Sequence, residues 1–210
     1  MRFNFAESDE LESLRSRVTL LSEREGVLAR IDEATRALVH PEEITLKAAS
    51  FLGQYLNVNR CAYADVEADQ DTFNLTGNYT NGTHSIIGRY TFTQFSLACL
   101  QKMRAGQPFI VEDSETDPQI RNDAPNVLES FRATAIRAVI CVPILKDGIF
   151  SAAMAVHCNT PRRWHDEEVS LLLSVAGRCW ESIERTRVLR SLQESQERLH
   201  LAQEAGKSGT

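Results

Sequence analysis

No stretch of this 210-residue chain approaches the ~20 consecutive apolar residues that a bilayer-spanning helix requires. Its first ten residues hold no apolar block of the kind that directs export. Positive charge is also in short supply. Against 29 acidic residues stand 23 lysines and arginines, a formal net charge of −6. Nucleic acid or an anionic membrane is therefore not expected as the main partner, since either would repel an acidic surface. Paired cysteine motifs are absent too. Cys61, Cys99, Cys141, Cys158 and Cys179 are odd in number and none is spaced Cys-x-x-Cys. Without an export signal they read as reduced, mostly buried thiols, and the glycosylation-like triplets at Asn74, Asn78 and Asn81 carry no meaning. A cytoplasmic location is expected.

With 42% hydrophobic and 25% charged residues, the composition is that of a globular protein. The length suits one α/β core with appended helices better than two full domains. Leu11, Leu14, Val18, Leu21 and Leu28 fall on a three-four spacing within residues 9–39, with Glu25 interrupting the row. So narrow a stripe suits a helix–helix seam better than a globular face. From Val27 it widens through Ile31, Ala34 and Leu38, as where a helix lies on a domain. His40-Pro41 ends it, because the residue before proline avoids helical dihedrals. Pro41 then opens a second helix whose buried face is Ile44, Ala48, Phe51 and Leu52.

Residues 60–66 and 73–79 read as a hairpin across a polar turn. Residues 85–93 read as irregular, 95–104 as a helix stopped by Gly106, and 108–112 as a short strand. A polar loop at 113–126 leads into a helix over 127–134. The β-branched run at 138–145, the Lys146-Asp147-Gly148 turn and the partner run at 149–158 make a second hairpin. Asp166, Glu167 and Glu168 suit the positive end of a last helix, which nothing stops before Leu201. Its face Leu171, Leu172, Val175, Cys179 and Ile183 is broad. Beyond it Val188, Leu192, Ser195, Leu199 and Ala202 follow the spacing of a coiled coil. Terminal helices of this kind either pair with a second copy or are simply solvated.

Two stretches carry a family resemblance. One is Ile136-Arg-Ala-Val-Ile-Cys-Val-Pro-Ile-Leu-Lys-Asp-Gly148, the other Ala155-Val-His-Cys-Asn-Thr-Pro-Arg-Arg-Trp164 ahead of an acidic helix start. Together with the element order, they resemble the GAF domains of bacterial sensor and hybrid histidine kinases and of cyanobacteriochromes. The resemblance implies an α+β fold, an antiparallel sheet sandwiched by helices, with long terminal helices forming a dimer bundle. It divides the chain into a signalling helix at 1–26, a GAF domain at 27–187 and a coiled-coil linker at 188–210. The tail from Leu192 resembles the helix that opens PAS domains in such kinases, so the chain reads as part of a longer signalling protein. No kinase core motif is present.

GAF domains hold small ligands against their sheet, and strand alternation assigns the faces here. Ser151, Ala153, Ala155 and His157 share one side of their strand; Phe150, Ala152, Met154 and Val156 share the other. Small residues facing a cavity leave room for a ligand, with His157 at its rim; they equally allow a helix to pack closely. Tyr63, Phe92, Phe95 and Phe109 are further candidates for that cavity or for plain core. Arg137 could pair with a ligand anion or a structural carboxylate.

The family's specific chemistries find little purchase. The bilin-anchoring Cys-His pair is replaced by Asn126-Val127, and Cys99 lies on an earlier helix. The cyclic-nucleotide signature Asn-Lys-x-Phe-x-Asp-Glu is absent. Residues 133–138, where free methionine sulfoxide reductases of this fold carry their cysteine, hold none, and Cys141 sits within a strand. Neighbouring His157 and Cys158 point to opposite faces, so no metal is expected. The expectation is a non-enzymatic sensory domain with no predicted cofactor and an unidentified small ligand. It would form a homodimer along Leu14, Val18 and Leu21 together with Val188, Leu192 and Leu199, in one parallel bundle, and pass its state to downstream PAS or kinase domains. The alternatives are a ligand-free structural relay, a thiol-based reductase and a bilin photosensor.

Overall fold

The computed structural model describes residues 5–207, with side-chain environments described for residues 15, 18, 19 and 22–198. Two long helices, α1 (Phe5–Thr35) and α7 (Asp166–Lys207), bracket the other elements. After α2 (Pro41–Tyr55) come the hairpin β1 (Arg60–Val66) and β2 (Thr72–Thr80), then β3 (Gly88–Thr91), α3 (Phe92–Phe95) and α4 (Leu97–Arg104). β4 (Phe109–Val111), α5 (Pro118–Arg121) and α6 (Pro125–Ala133) lead into the hairpin β5 (Ala138–Lys146) and β6 (Ile149–Cys158). The strands form one antiparallel sheet in the order β3-β2-β1-β6-β5-β4.

The sheet divides the apolar residues into two cores. On one face Leu28 and Ile31 of α1, Ile44, Ala48 and Leu52 of α2, and Leu172, Val175 and Ile183 of α7 pack against Tyr63, Ile140, Val142, Met154 and Val156. On the other, α3 to α6 cover Ala62, Ala64, Phe73, Val139, Cys141 and Ala153. The tight β5–β6 connection follows from Asp147 and Gly148, whose φ values of 52° and 79° are both positive, as a two-residue hairpin turn demands.

Three local readings are corrected. Residues 88–91 form an edge strand, where an irregular segment was expected; three half-covered residues and the exposed Arg89 at a sheet edge show no alternation to read. The cover helix expected over 95–104 is two helices broken at Ser96, whose side chain caps α4 by accepting from the Ala98 N–H. In the polar loop, Asp117 caps the one-turn helix α5 through the Gln119 N–H.

The terminal helices have a defined relative direction. Arg24 bonds to Ser174 and Arg178 pairs with Asp32, so α1 and α7 advance in the same direction. The free part of α1 therefore leaves one end of the domain and the free part of α7 the other. At 1.5 Å per residue, Val18 and Val188 are roughly 30 Å apart along the helix axes. Within one protomer the two expected seams therefore lie at opposite ends of the domain, not side by side. Val18 and Val188 are each 65% exposed and Leu192 54%; the side chains of Leu14, Leu21 and Leu199 lie outside the described residues.

Two glycines test the packing in opposite directions. A Cβ on Gly53 of α2 would overlap the Tyr79 ring, whereas one on Gly177 of α7 meets nothing within 4 Å. Gly53→Ala is expected to lower unfolding free energy by about 1–3 kcal/mol through overpacking. Gly177→Ala is expected to raise it by about 0.5–1 kcal/mol through helix propensity. Urea denaturation of both variants measures this.

Candidate functional site

Between the sheet and its α3–α6 cover lies a cavity of about 70 Å³. Its floor is made by alternate residues of the central strands: Ala62 and Ala64 of β1, Val139 and Cys141 of β5, and Ala153, Ala155 and His157 of β6. Four alanines on two adjacent strands remove the volume a Leu or Val would fill. Above them stand Phe92 and Phe95 of α3, Cys99 of α4 and Phe131 of α6, and Phe109 of the edge strand β4 closes one side. Phe92, Phe95 and Phe131 are connected through ring contacts that include Phe73. Phe92 lies 4.5 Å from Phe73, and Phe95 meets Phe131 edge-on at 5.8 Å. Such contacts hold the cover off the sheet instead of letting it collapse onto the alanines.

Of the candidates expected from sequence, Phe92, Phe95, Phe109, Ala153, Ala155 and His157 come together around this cavity. Tyr63, Arg137 and Ser151 do not. Tyr63 points into the opposite core under α7. Arg137 forms an ion pair of 2.7 Å with Asp113 at the end of β4. Ser151 is displaced by a bulge. Ile144 pairs with Ala152 and Leu145 with Phe150, so Ser151 is the extra residue and its hydroxyl donates to the Ile149 carbonyl. The same bulge turns Phe150, expected on the α7 side, onto the cavity side, where its ring lies 5.1 Å from Phe92. A period-two reading cannot anticipate an inserted residue.

The residue that sequence reasoning missed altogether is Arg60. It opens β1 directly opposite His157 and is fully buried. Its Nη1 donates to the Thr134 carbonyl at 3.2 Å and lies 3.5 Å from His157 Nδ1. Its Nη2 donates to Thr83 Oγ1 at 3.1 Å and to the His84 carbonyl at 2.7 Å. The available signal was an arginine at the head of the otherwise apolar run Cys61, Ala62, Tyr63, Ala64.

Burial and the charge of Arg60 depress the His157 imidazolium from 6.5 to about 3, so the ring is neutral at ordinary pH. Arg60 itself is lowered by burial to about 10 and keeps its charge. The Cys99 thiol, on the cavity wall, is held well above its ordinary value by a hydrogen bond to Cys141 and by burial, which makes it a poor nucleophile. Cys158 lies on the sheet face opposite His157, and no group of three metal-ligating side chains occurs among the described residues.

The GAF domain family model matches residues 40–183. No curated protein matches the chain in sequence. The phycocyanobilin-bound GAF domain of a cyanobacterial phytochrome superposes with a TM-score of 0.66 at 14% identity, over 79% of this chain and 96% of that one. A free methionine-R-sulfoxide reductase from Neisseria meningitidis, in complex with its substrate, gives 0.61 at 16% identity over 79% and 91%. Residues 122 to 287 of a methyl-accepting chemotaxis protein give 0.62 at 17% identity over 76% and 98%. At such identities the likeness is one of fold.

Depression of His157 makes stability depend on pH. Below 6.5 the unfolded chain takes up a proton that the folded chain refuses until about pH 3. The contribution is therefore complete above 6.5 and is lost as pH falls through that window, by up to about 1.4 kcal/mol per pH unit. Denaturation series at pH 6 and pH 4.5 should show a steeper loss for the wild type than for His157→Gln, which keeps a polar side chain but cannot titrate.

Proposed function

The chain belongs to the GAF domain family, the ligand-binding sensory modules of signalling proteins, and from that premise we propose that it is the input unit of a two-component signal-transduction protein. A small molecule occupies the cavity above Ala153, Ala155 and His157, and the change is relayed through α1 and α7 to PAS and kinase domains in the same protein. The observation that carries this reading is that β6 serves both cores at once. Ala153 and Ala155 floor the cavity, while Met154 and Val156 on the same strand pack in the core under α7. A ligand that moves the cavity side of β6 therefore acts one residue away from the helix that leaves the domain. Occupancy then shifts a balance between two packings of that helix, by no more than its preference for one of them.

The protein works as a parallel homodimer in this reading, with two seams in series. The α1 arm, through Val18, pairs on one side of the domain, and the α7 arm, through Val188 and Leu192, pairs on the other. The three exposed apolar side chains support pairing, since solvated helices have no use for a valine or leucine row.

A second reading, a ligand-free structural relay, is favoured by size. About 70 Å³ is well below the ~300 Å³ at which ordinary ligand pockets begin. Xenon under pressure with NMR detection at the Ala153 and Ala155 methyls separates the two. Shifts confined to cavity residues support the sensor, and an unresponsive cavity supports the relay. For the dimer, sedimentation velocity is expected to give a dimer for the wild type and a monomer for Val188→Glu/Leu192→Glu. The core melting temperature should change little, because both side chains are exposed.

A further inference from the structure

Arg60 is a buried cation without a counter-anion. It is 0% exposed, and none of the ion pairs among the described residues includes it. Its terminal nitrogens reach two carbonyls, a hydroxyl and the His157 ring, all uncharged, and its Nε has no partner at all. Arginine is almost never fully buried unpaired, because taking its charge out of water costs more than neutral hydrogen bonds return. Carbonyl dipoles soften that cost but leave the charge. An anion nearby would balance that charge.

His157 lies against Arg60 and lines the cavity. Its Nδ1 faces a guanidinium that can only donate, so Nδ1 accepts and the proton of the neutral ring sits on Nε2. Among the described residues Nε2 has no hydrogen-bond partner. The segments that hold the guanidinium by Thr134 and His84 also wall the cavity, through Ile136 and Ile86. One end of the largely apolar cavity thus ends on the His157 ring N–H, with the Arg60 guanidinium directly behind that ring and outside the lining itself.

We propose, building on the reading of this cavity as a ligand site, that the His157 ring N–H, backed by the charge of Arg60, holds the carboxylate of a small apolar monocarboxylic acid, whose body lies among the aromatic side chains of the cavity. A single guanidinium beside a neutral imidazole neutralises one charge. A phosphate dianion or a dicarboxylate would keep a surplus charge in an apolar space, at high cost. The small volume limits the body to a short chain or a single ring.

Calorimetric titration of the whole chain with benzoate and propionate, each against its uncharged isostere benzamide or propionamide, tests this. At least one acid is expected to bind about tenfold or more tighter than its amide, the usual margin for a charge-assisted pair. Arg60→Met should abolish that preference while leaving amide binding within about threefold. The free variant should also melt higher than the wild type, because an uncompensated buried charge has been removed. Amides binding as well as acids to the wild type would overturn the anion pocket and leave the sensor reading standing. Xenon entry with no binding of either acid would do the same. A cavity that admits neither xenon nor any of the four compounds would overturn both. The wild-type comparison alone decides the matter should Arg60→Met fail to fold.

Discussion

The constraint on which this structure depends is that its central strands, β1, β6 and β5, are covered on both faces. Alternate residues of one strand must therefore satisfy two different neighbours. Towards α1, α2 and α7 they are bulky and close-packed, as with Met154, Val156, Ile140 and Val142. Towards the cover they shrink to Ala62, Ala64, Ala153 and Ala155. Each small side chain on the cover side is a decision not to fill space, because a close-packed interior loses dispersion contacts wherever it leaves a gap. The aromatic rings of Phe73, Phe92, Phe95 and Phe131 brace one another across the top and keep that gap from closing. Packing on one face is ordinary. On the other it is restrained.

Much of this was legible in the letters, and the reasons differ from element to element. The two hairpins emerged because β1, β5 and β6 are runs of apolar or β-branched residues ended by turn chemistry. The Asp147-Gly148 pair in particular supports only a tight connection. The buried face of α7 emerged because Leu171, Leu172, Val175, Cys179 and Ile183 repeat at helical spacing, and all five are buried. What stayed hidden was whatever breaks a period. The bulge at Ser151 puts Phe150 on the face opposite to the one strict alternation gives it. Ser96 interrupts a helix for the sake of a cap supported by Asp123, 27 residues away. Arg60 was hidden for a different reason. An arginine at a strand end normally snorkels to water, and only the loop carrying Thr83 and His84, folded over it, closes the site.

The terminal helices show where a sequence pattern stops short of geometry. A heptad-like row indicates that a helix has a partner. It does not say on which side of the domain the partner stands. The shared direction of α1 and α7 follows from contacts between Arg24 and Ser174 and between Asp32 and Arg178, pairs separated by about 150 positions in the chain. Further along, Arg187 bonds to Asp65 of β1 and Glu184 to Lys146 of β5, pinning α7 to the sheet just before its free arm begins. These pairs are partly solvated and individually modest in strength. Their position matters more than their strength, because they mark where the arm ceases to be part of the globular body.

A second physical connection between cavity and exit helix runs around the sheet edge. Phe109 lines the cavity from β4, a strand of only three residues with a single neighbour in the sheet. Two residues on, the Val111 carbonyl accepts from Trp164 Nε1 at 3.0 Å, and the Glu112 carbonyl accepts from the Arg162 N–H at 2.9 Å. Arg162 in turn pairs with Glu168 in the first turn of α7 at 2.6 Å, and the other Glu168 oxygen accepts from the His165 N–H. β6 is held by ladders on both sides and resists displacement; β4 is held on one. Of the two connections, the edge strand is the softer. A ligand that pushed on Phe109 would meet less resistance than one that pushed on Ala153, and the displacement would arrive at the start of α7 through one hydrogen-bonded loop. The sheet centre is held by two ladders and its edge by one, so a relay through β4 would add to the one proposed through β6.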